Sequence, residues 1–401
     1  MNIPNRHNRG WISRLILHSA VLTSGLLSIG ISCRTAFGAE VKLIPSFEFK
    51  EEFSDNVFLN SSNRKSDFIT TLAPSMAFSR NSETLNVDLL TGFSWHNYAR
   101  TEGIGSTDYQ YSAQVSNKFT PRDDIGLSAS YVRSTRPDTI DQATKLNSGS
   151  SDLSQYSASV RRVLDETTSS SLSYSFVQNM YDNPASLENH IHNASLSVSK
   201  DLGAVLPLLK GTVGTNFSRA VYRDSNSDYY TLTVGASRKI RENINFNLSV
   251  GGQFIHSAFV TTSETSKNSW GTVGSASLDY TREKSFGSLS FARNFSPASG
   301  QIGAVETTSF GLTLGRGLSD KTTAQLTASY NINQASSGQY SPRGTNDRAL
   351  NLRADIAYKI SKFFDIGIQY AYYNVTYGQS DIRVNQNNVM LRAVAKYPVT
   401  R

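Results

Sequence analysis

Apolar and polar residues alternate along most of the chain after its first forty positions. In the stretch 244–254, "INFNLSVGGQF", Ile244, Phe246, Leu248 and Val250 share one parity, and Asn245 shares the other with further polar residues. A period of two gives a β-strand one apolar and one polar face. The same alternation returns at 84–95, 108–119, 228–240, 349–360 and 388–397. The sequence therefore predicts an all-β chain, and no comparable stretch keeps a helical period.

Short charged turns alternate with longer polar loops between these stretches. The turns lie at 80–83, 120–124, 164–167, 200–207, 240–243, 282–285, 318–321 and 361–364, a spacing of about 40 residues that fits one hairpin plus a loop. Longer loops include 136–152 and 334–347. Counted this way, the chain holds about eighteen antiparallel strands, within a range of about fourteen to eighteen. Short turns on one side and long loops on the other are typical of a single transmembrane outer-membrane β-barrel with both termini in the periplasm.

A membrane environment explains why such a sheet closes. Hydrocarbon offers no hydrogen bonds to backbone groups, so a spanning sheet has no free edge, and its apolar parity faces lipid. Tyr and Trp near the segment ends fit the two aromatic girdles of such barrels. These residues are Trp95, Tyr109, Trp270, Tyr280 and Tyr358.

The last predicted strand also fits this class. Its apolar face runs from Val389 to Tyr397 and ends on an aromatic, which resembles the C-terminal insertion signal of outer-membrane barrels, although "PVTR" follows it. Within the second strand, Pro74 cannot donate to a ladder, so we expect a bulge or an end of regular pairing there.

The first 38 residues have the order of a secretory signal peptide. Basic residues precede an apolar run, and Ala36 precedes a cleavage site after Gly38, which leaves residues 39–401 as the barrel. A membrane anchor is the alternative, but the run is short for a span. A lipoprotein at Cys33 would need a Leu-like residue where Gly30 stands.

Cleavage would change the composition of the chain. Cys33 is the only cysteine, so the mature chain would have neither disulfides nor thiolate chemistry. Four arginines and no acids would leave with the signal, and the formal net charge would fall from +7 to about +3. The basic balance of the full chain therefore does not indicate a nucleic-acid partner.

The region of the first predicted hairpin resembles a known family. "EEFSDNVFL" (51–59) followed by "KSDFITTLAP" (65–74) is similar to the start of the β-barrel porin family 2 of bacterial outer-membrane proteins. That family often accompanies exopolysaccharide and exosortase (PEP-CTERM) gene clusters. The resemblance implies the bacterial outer membrane as location and export of polysaccharide as a role. It also implies membrane lipid, a polysaccharide or small hydrophilic solute, and the barrel-assembly machinery as partners.

The residues that the alternation turns inward are the candidate functional set. Their charges either pair with one another in water or form a field that selects solutes by charge, with a modest cationic excess that favours anions. The inward charges are Asp88, Asp108, Asp279, Asp355, Lys118, Arg161, Arg353, Lys359, Arg392 and Lys396. Three inward tyrosines, Tyr98, Tyr229 and Tyr373, could stack on sugar rings.

Other chemistries have weaker signals. His96 with one of the many serines could form a hydrolase triad, and His256 is a further candidate base. His190 and His192 have a spacing that suits a transition metal, but no other ligand lies nearby in sequence.

The first loop offers a further possibility. Asp55, Asn56 and Asp67 could bind calcium or serve as turn residues, and we expect turn residues because the pattern of an EF-hand is missing. We predict no catalytic residue, metal or cofactor.

These observations predict a channel that passes hydrophilic solutes without catalysis. The alternative is a structural or interaction barrel whose surface loops dock a polysaccharide or a partner protein while no pore is open. An integral outer-membrane hydrolase is the remote third possibility.

Overall fold

A computed structural model describes residues 40–400, except 102–105, 136–138, 141–145, 148–149, 183–187, 223–224, 260–265, 298–303, 336–344 and 379–380. The predicted signal peptide and Cys33 lie outside this part of the chain. Within it, all regular elements are strands. They are β1 (Glu40–Ser54), β2 (Asp67–Asn81), β3 (Leu85–Tyr98), β4 (Ser106–Thr120), β5 (Asp123–Ser134), β6 (Thr139–Ile140), β7 (Leu146–Asn147), β8 (Ser151–Val163), β9 (Thr168–Tyr181), β10 (Asn189–Asp201), β11 (Leu209–Tyr222), β12 (Ser225–Arg241), β13 (Ile244–Phe259), β14 (Ser266–Arg282), β15 (Ser285–Pro297), β16 (Ala304–Gly317), β17 (Thr322–Ala335), β18 (Thr345–Lys359), β19 (Phe364–Tyr377), β20 (Ile382–Lys396) and β21 (Val399–Thr400).

The sheet closes into a barrel. Nineteen strands form one sheet, and because one of them is the two-residue β21, eighteen long strands make the wall. Each long strand pairs antiparallel with its neighbours in the barrel, and β1 closes the ring by pairing with both β2 and β20. The small β6–β7 hairpin stands apart from this sheet, in the connection between β5 and β8. The predicted all-β barrel is therefore confirmed, at the upper end of the expected strand number.

The two ends of the barrel differ as the sequence predicted. Eight short connections lie at one end, and several of them coincide with the predicted turns, such as 164–167 between β8 and β9. The other end, called here the loop end, holds the remaining nine connections. Two of these are as short as the turns, namely 223–224 between β11 and β12 with two residues and 378–381 between β19 and β20 with four, so the expectation of a long loop fails at both positions.

Exposure separates the outer face from the lumen. On β12, Leu232 and Val234 are 59% and 57% exposed, whereas Tyr229, on the opposite parity, is only 1% exposed. A closed cylinder can bury a large side chain that completely only on its inside. The parity with exposed aliphatic and aromatic residues is therefore the outer face, and an apolar outer face is that of a barrel solvated by lipid.

The predicted girdle residues lie on this outer face. Trp95 and Trp270 are near the loop end and are 43% and 73% exposed, and Tyr358 lies near the short turns. An antiparallel barrel of this size and layout, with a lipid-facing surface, is an outer-membrane β-barrel. The bacterial outer membrane is accordingly the location of the protein.

Two local predictions can be checked against the ladder. On the β1 side Pro74 pairs normally with Phe47, but the β2–β3 ladder is interrupted between Leu72 and Ser75 without a change of register. Pairing is thus interrupted at Pro74 on one side only and resumes at Ser75, and no bulge forms. At the C-terminus, the residues after Tyr397 extend the sheet, since β21 pairs with Leu43 of β1.

Candidate functional site in the barrel lumen

Small polar side chains line one part of the lumen, which we call the hydroxyl sector and define as the inward residues of β9 to β17. Hydroxyl groups meet across neighbouring strands, for example Ser173 with Ser195 (Oγ to Oγ, 2.6 Å) and Ser199 with Thr212 (Oγ to Oγ1, 3.0 Å). Among the described residues of this sector, one charged side chain, that of Asp279, points inward away from the strand ends. Its carboxylate accepts a hydrogen bond of 2.6 Å from Ser288 Oγ. This wall offers many hydrogen bonds and little net field.

The remaining inward residues, on β18 to β20, β1 to β5 and β8, form what we call the charged sector. Here several charges pair with a neighbour: Arg353 Nε lies 2.9 Å from Asp355 Oδ2, and Lys396 Nζ lies 3.1 Å from Asp365 Oδ2. Lys50 pairs in the same way with Glu48, at 3.1 Å. Pairing of this kind cancels much of the local field, and a water-exposed pair contributes little to stability.

All of the predicted pore-lining residues lie on the inward parity, but they do not form one ring. Within the described part of the chain, four of them make no ion pair, while Arg353 and Asp355 bind each other and Asp108 and Asp279 are held by hydrogen bonds. The four are Asp88, Lys118, Arg161 and Arg392. The inward face carries further charges of both signs, so the described residues give no support for a cationic excess. The further inward acids include Glu48, Glu52, Asp124, Asp347 and Asp365, and the further inward cations include Lys42 and Lys50.

Asp108 lies in a buried hydrogen-bond network rather than on the open wall. Its Oδ2 lies 3.0 Å from His96 Nε2, and its Oδ1 accepts 2.7 Å bonds from the backbone N–H and the hydroxyl of Thr135. His96 Nδ1 in turn lies 2.9 Å from Thr71 Oγ1. The network connects β2, β3 and β4 with the residue that follows β5. It therefore fixes the loop end of four neighbouring strands.

The same network bears on the hydrolase alternative. It joins a hydroxyl, an imidazole and a carboxylate, but the hydroxyl belongs to Thr71, which is 3% exposed, and His96 is 5% exposed. The carboxylate also contacts Nε2 and the hydroxyl contacts Nδ1, the reverse of the arrangement in serine hydrolases. A buried hydroxyl with no access for a substrate suits a structural role.

The other histidines of the described residues face outward. His190 and His192 lie on the outer face of β10, where the His192 ring is 4.9 Å from Phe176 and its Nδ1 is 2.8 Å from the Tyr174 hydroxyl. His256 contacts Asn268 Oδ1 at 2.7 Å. Among the described residues, no three His, Cys, Asp or Glu side chains gather as a metal-binding group. The described part of the chain also contains no helix that could cross a bilayer.

The first loop uses its oxygens for protein contacts. Asp55 accepts two 2.7 Å bonds from the backbone and side-chain nitrogens of Asn387, and Asn56 donates to the carbonyl of Asn385 at 2.9 Å. Asp67 accepts from the backbone N–H groups of Arg100 and Thr101, both at 2.9 Å. These contacts fasten the start of β20 to the end of β1, and those of Asp67 hold the residues that follow β3.

Part of the lumen is packed with apolar side chains at the loop end. Tyr222, Tyr229 and Ile255, inward on β11 to β13, form a buried cluster with Phe295 and Ala304. A second cluster joins Val57, Ile69 and Tyr98 near the first loop. The loop end is therefore narrowed from two sides.

The first of these clusters depends on a separation of β15 from β14, while β15 stays paired with β16 through Pro297. The ladder between β14 and β15 ends at the pair Gly274–Arg293, although both strands continue. Beyond it, the Phe295 ring turns inward over Gly271, where a Cβ would lie only 2.0 Å from Phe295 Cε2. The Phe295 N–H donates to Gln253 Oε1 at 3.3 Å. Only glycine at position 271 lets the ring approach the backbone this closely.

This packing changes the interpretation of the tyrosines. Tyr98 and Tyr229 are 6% and 1% exposed, so their rings present no face to a solute in this conformation. Tyr373 is partly exposed on the inward face of β19 and lies opposite Asn351. Alternation alone placed all three inward, but it could not distinguish a packed ring from a free one.

No protein-family model matches the chain, and a comparison with curated proteins also gives no match. Among solved structures, the chain is similar to OccAB3 of Acinetobacter baumannii, with a TM-score of 0.48, 10% identity, and coverage of 90% of this chain and 99% of that chain. It is also similar to the outer membrane channel DcaP of Acinetobacter baumannii, with a TM-score of 0.46, 12% identity, and coverage of 90% and 98%. A third match is a loop-deletion mutant of OmpT, an outer membrane protein of Vibrio cholerae, with a TM-score of 0.38, 11% identity, and coverage of 90% and 100%. The fold itself rests on the strand pairing described above.

Proposed function

We propose that the protein is an outer-membrane channel that passes hydrophilic solutes through its lumen without catalysis. The observation that carries this proposal is the hydroxyl sector, a wall of serine, threonine and amide side chains inside a barrel of eighteen long strands. By general scaling, barrels of about this strand number enclose an aqueous channel. Interior hydroxyl groups have no role toward lipid, and they can exchange hydrogen bonds with a passing solute.

The chemistry of the wall favours uncharged, hydroxyl-rich solutes such as saccharides over ions. Paired charges such as Arg353 with Asp355 leave little field to attract one sign of ion. Export of exopolysaccharide is the finer form of the proposal, and its support is the family resemblance of residues 51–74 together with this wall. The barrel-assembly machinery and a polysaccharide remain the proposed partners.

The packed loop end favours the second candidate, an interaction barrel without an open pore. The clusters around Phe295 and Tyr98 narrow the lumen where a solute would leave it. In that case the surface loops would dock a polysaccharide or a partner protein.

Planar-bilayer recording separates the two candidates. A channel gives stepwise conductance, and neutral oligosaccharides interrupt the current. An interaction barrel gives no steps, although the same sample shows the heat-modifiable gel migration of a folded barrel.

A further inference from the structure

A groove in the inner wall of β1 to β5 combines polar and apolar groups in two adjacent rows. Along the ladder, Ser79, Asp88, Gln114 and Ser128 are successive cross-strand neighbours on the inward face. The next row toward the loop end begins with Ile44, Ala77 and Leu90 and continues with Ser112. These residues line a concave space of about 470 Å³.

Asp88 is the charged group of this groove that can accept hydrogen bonds from a ligand. Its carboxylate is exposed to the lumen and makes no ion pair within the described residues, in contrast to Asp355, which Arg353 occupies. An ionised carboxylate only accepts hydrogen bonds, whereas the amide of the adjacent Gln114 both donates and accepts. The two neighbours therefore suit a partner with several hydroxyl groups.

The second row supplies an apolar surface for the C–H groups of a ligand. Ile44, Ala77 and Leu90 form a continuous apolar patch in a lumen whose other inward residues are mostly polar. A ligand site commonly combines an apolar surface with a few well-placed polar groups. A sugar ring has this combination, since its C–H groups form an apolar face and its hydroxyls point outward around the rim.

We propose that this groove, here named the Asp88 groove, binds a neutral sugar ring, with C–H groups on Ile44, Ala77 and Leu90 and hydroxyls on Asp88 and Gln114. The inference rests on the proposed saccharide channel and assigns a binding position within it. Asp88 repels anionic sugars, so the groove discriminates against them. Strand residues form both rows, and the ladder on either side holds them in place.

The test measures equilibrium binding of a neutral glucan hexasaccharide to the refolded barrel by titration calorimetry in detergent. Asp88→Ala is expected to weaken binding by about tenfold, because it removes a hydrogen bond to a charged acceptor. Leu90→Ser weakens binding as well, since it removes part of the apolar patch. Asp279→Ala is the matched control: it is an inward acid on another part of the wall, and Ser288 already occupies its carboxylate.

The outcomes test the Asp88 groove and the proposed channel separately. Unchanged affinity in Asp88→Ala, or equal losses in Asp88→Ala and Asp279→Ala, would overturn the groove. No binding by the unmodified barrel would overturn it too, whether or not the barrel conducts. Binding that depends on Asp88, in a barrel that gives no conductance, would keep the groove and reject the channel. An acidic oligosaccharide of equal length should bind more weakly, and Asp88→Asn should reduce that difference.

Discussion

The middle of the lumen and its loop end are built from the same strands but pack in different ways. In the middle of the hydroxyl sector, inward side chains are mostly small and polar, and pairs such as Ser173 with Ser195 stay at the wall. At the loop end, Tyr229 and Ile255 are almost fully buried, and the Phe295 ring joins them where β15 no longer pairs with β14. The difference shows that the alternation determines which face is inward, whereas the pairing of neighbouring strands determines how much of the interior is filled.

Phe295→Ala is the substitution with the largest expected effect. It removes the ring that turns inward over Gly271, so the loop end widens and the unit conductance of a channel rises. It also costs roughly 3 kcal/mol or more of stability, as is usual for the loss of a buried phenylalanine. Conductance steps and urea unfolding followed by gel migration measure the two effects.

Phe286→Ala is the control for this substitution. The Phe286 ring lies over Gly315 in a similar way, but near the short turns, and it is 47% exposed. Its removal should change conductance little. Equal changes in the two variants would show that the loop-end cluster is not the narrow point.

Asp108→Ala tests whether the buried network contributes more to stability than an exposed acid of the lumen wall does. The substitution leaves His96 and Thr135 without their common partner, and we expect a loss of about 1 to 3 kcal/mol of unfolding free energy. Asp88→Ala, an exposed acid of the same sector, should lose less than about 0.5 kcal/mol. Similar losses in the two variants would contradict the structural role of the His96–Asp108 contact.

Substitution of inward cations tests whether their charge affects ion selectivity. Arg161→Glu replaces an unpaired cation on β8, so the reversal potential in a salt gradient should move toward cation preference at low salt. Arg353→Ala removes the partner of Asp355 and should shift it in the same direction, whereas Arg353→Lys keeps the charge and should not. A marked anion preference of the unmodified channel would restore the predicted cationic excess.

The smallest effect concerns a turn outside the membrane. In the 164–167 turn, the Asp165 carboxylate accepts hydrogen bonds from the backbone N–H and the hydroxyl of Thr167 and from the backbone N–H of Thr168. These bonds, that of the Thr167 N–H first, lower the pKa of the Asp165 carboxyl to about 2. A lowered pKa means that this contribution is present above the ordinary pKa near 3.8 and disappears as the pH falls through about 2. Asp165→Asn should therefore remove a small part of the pH dependence of unfolding between these values. An identical pH profile in the variant would refute this role of Asp165.

The strands and turns were predictable from the sequence because a period of two and charged turns are local signals. The same holds for the inward parity of Asp88 and Asp108, which depends only on counting along a strand. Counting fails at Phe295, since the sequence Leu289, Phe291, Arg293, Phe295 predicts an outward ring. The ring turns inward because β15 separates from β14, and a separation between strands leaves no mark on the period of either one.

The side-chain contacts of the inward residues could not be predicted from the sequence either. His96 and Asp108 meet across β3 and β4, and Asp55 meets Asn387 across the closure of the barrel, more than three hundred residues away in sequence. Such contacts depend on the register between strands, and a one-residue slip of register would reverse every side chain. Only the folded barrel therefore shows that the Asp88 carboxylate is exposed to the lumen, whereas the Asp108 carboxylate is hydrogen-bonded to His96 and Thr135.

Single-channel recording of the refolded chain without its predicted signal peptide, residues 39–401, is the most direct test of the proposed channel. The recording uses a neutral glucan oligosaccharide and an acidic one of equal length, and the folded state is verified by heat-modifiable gel migration. We expect stepwise conductance that the neutral oligosaccharide interrupts more strongly than the acidic one. A folded barrel that inserts without conductance, or that only the acidic oligosaccharide interrupts, would contradict it.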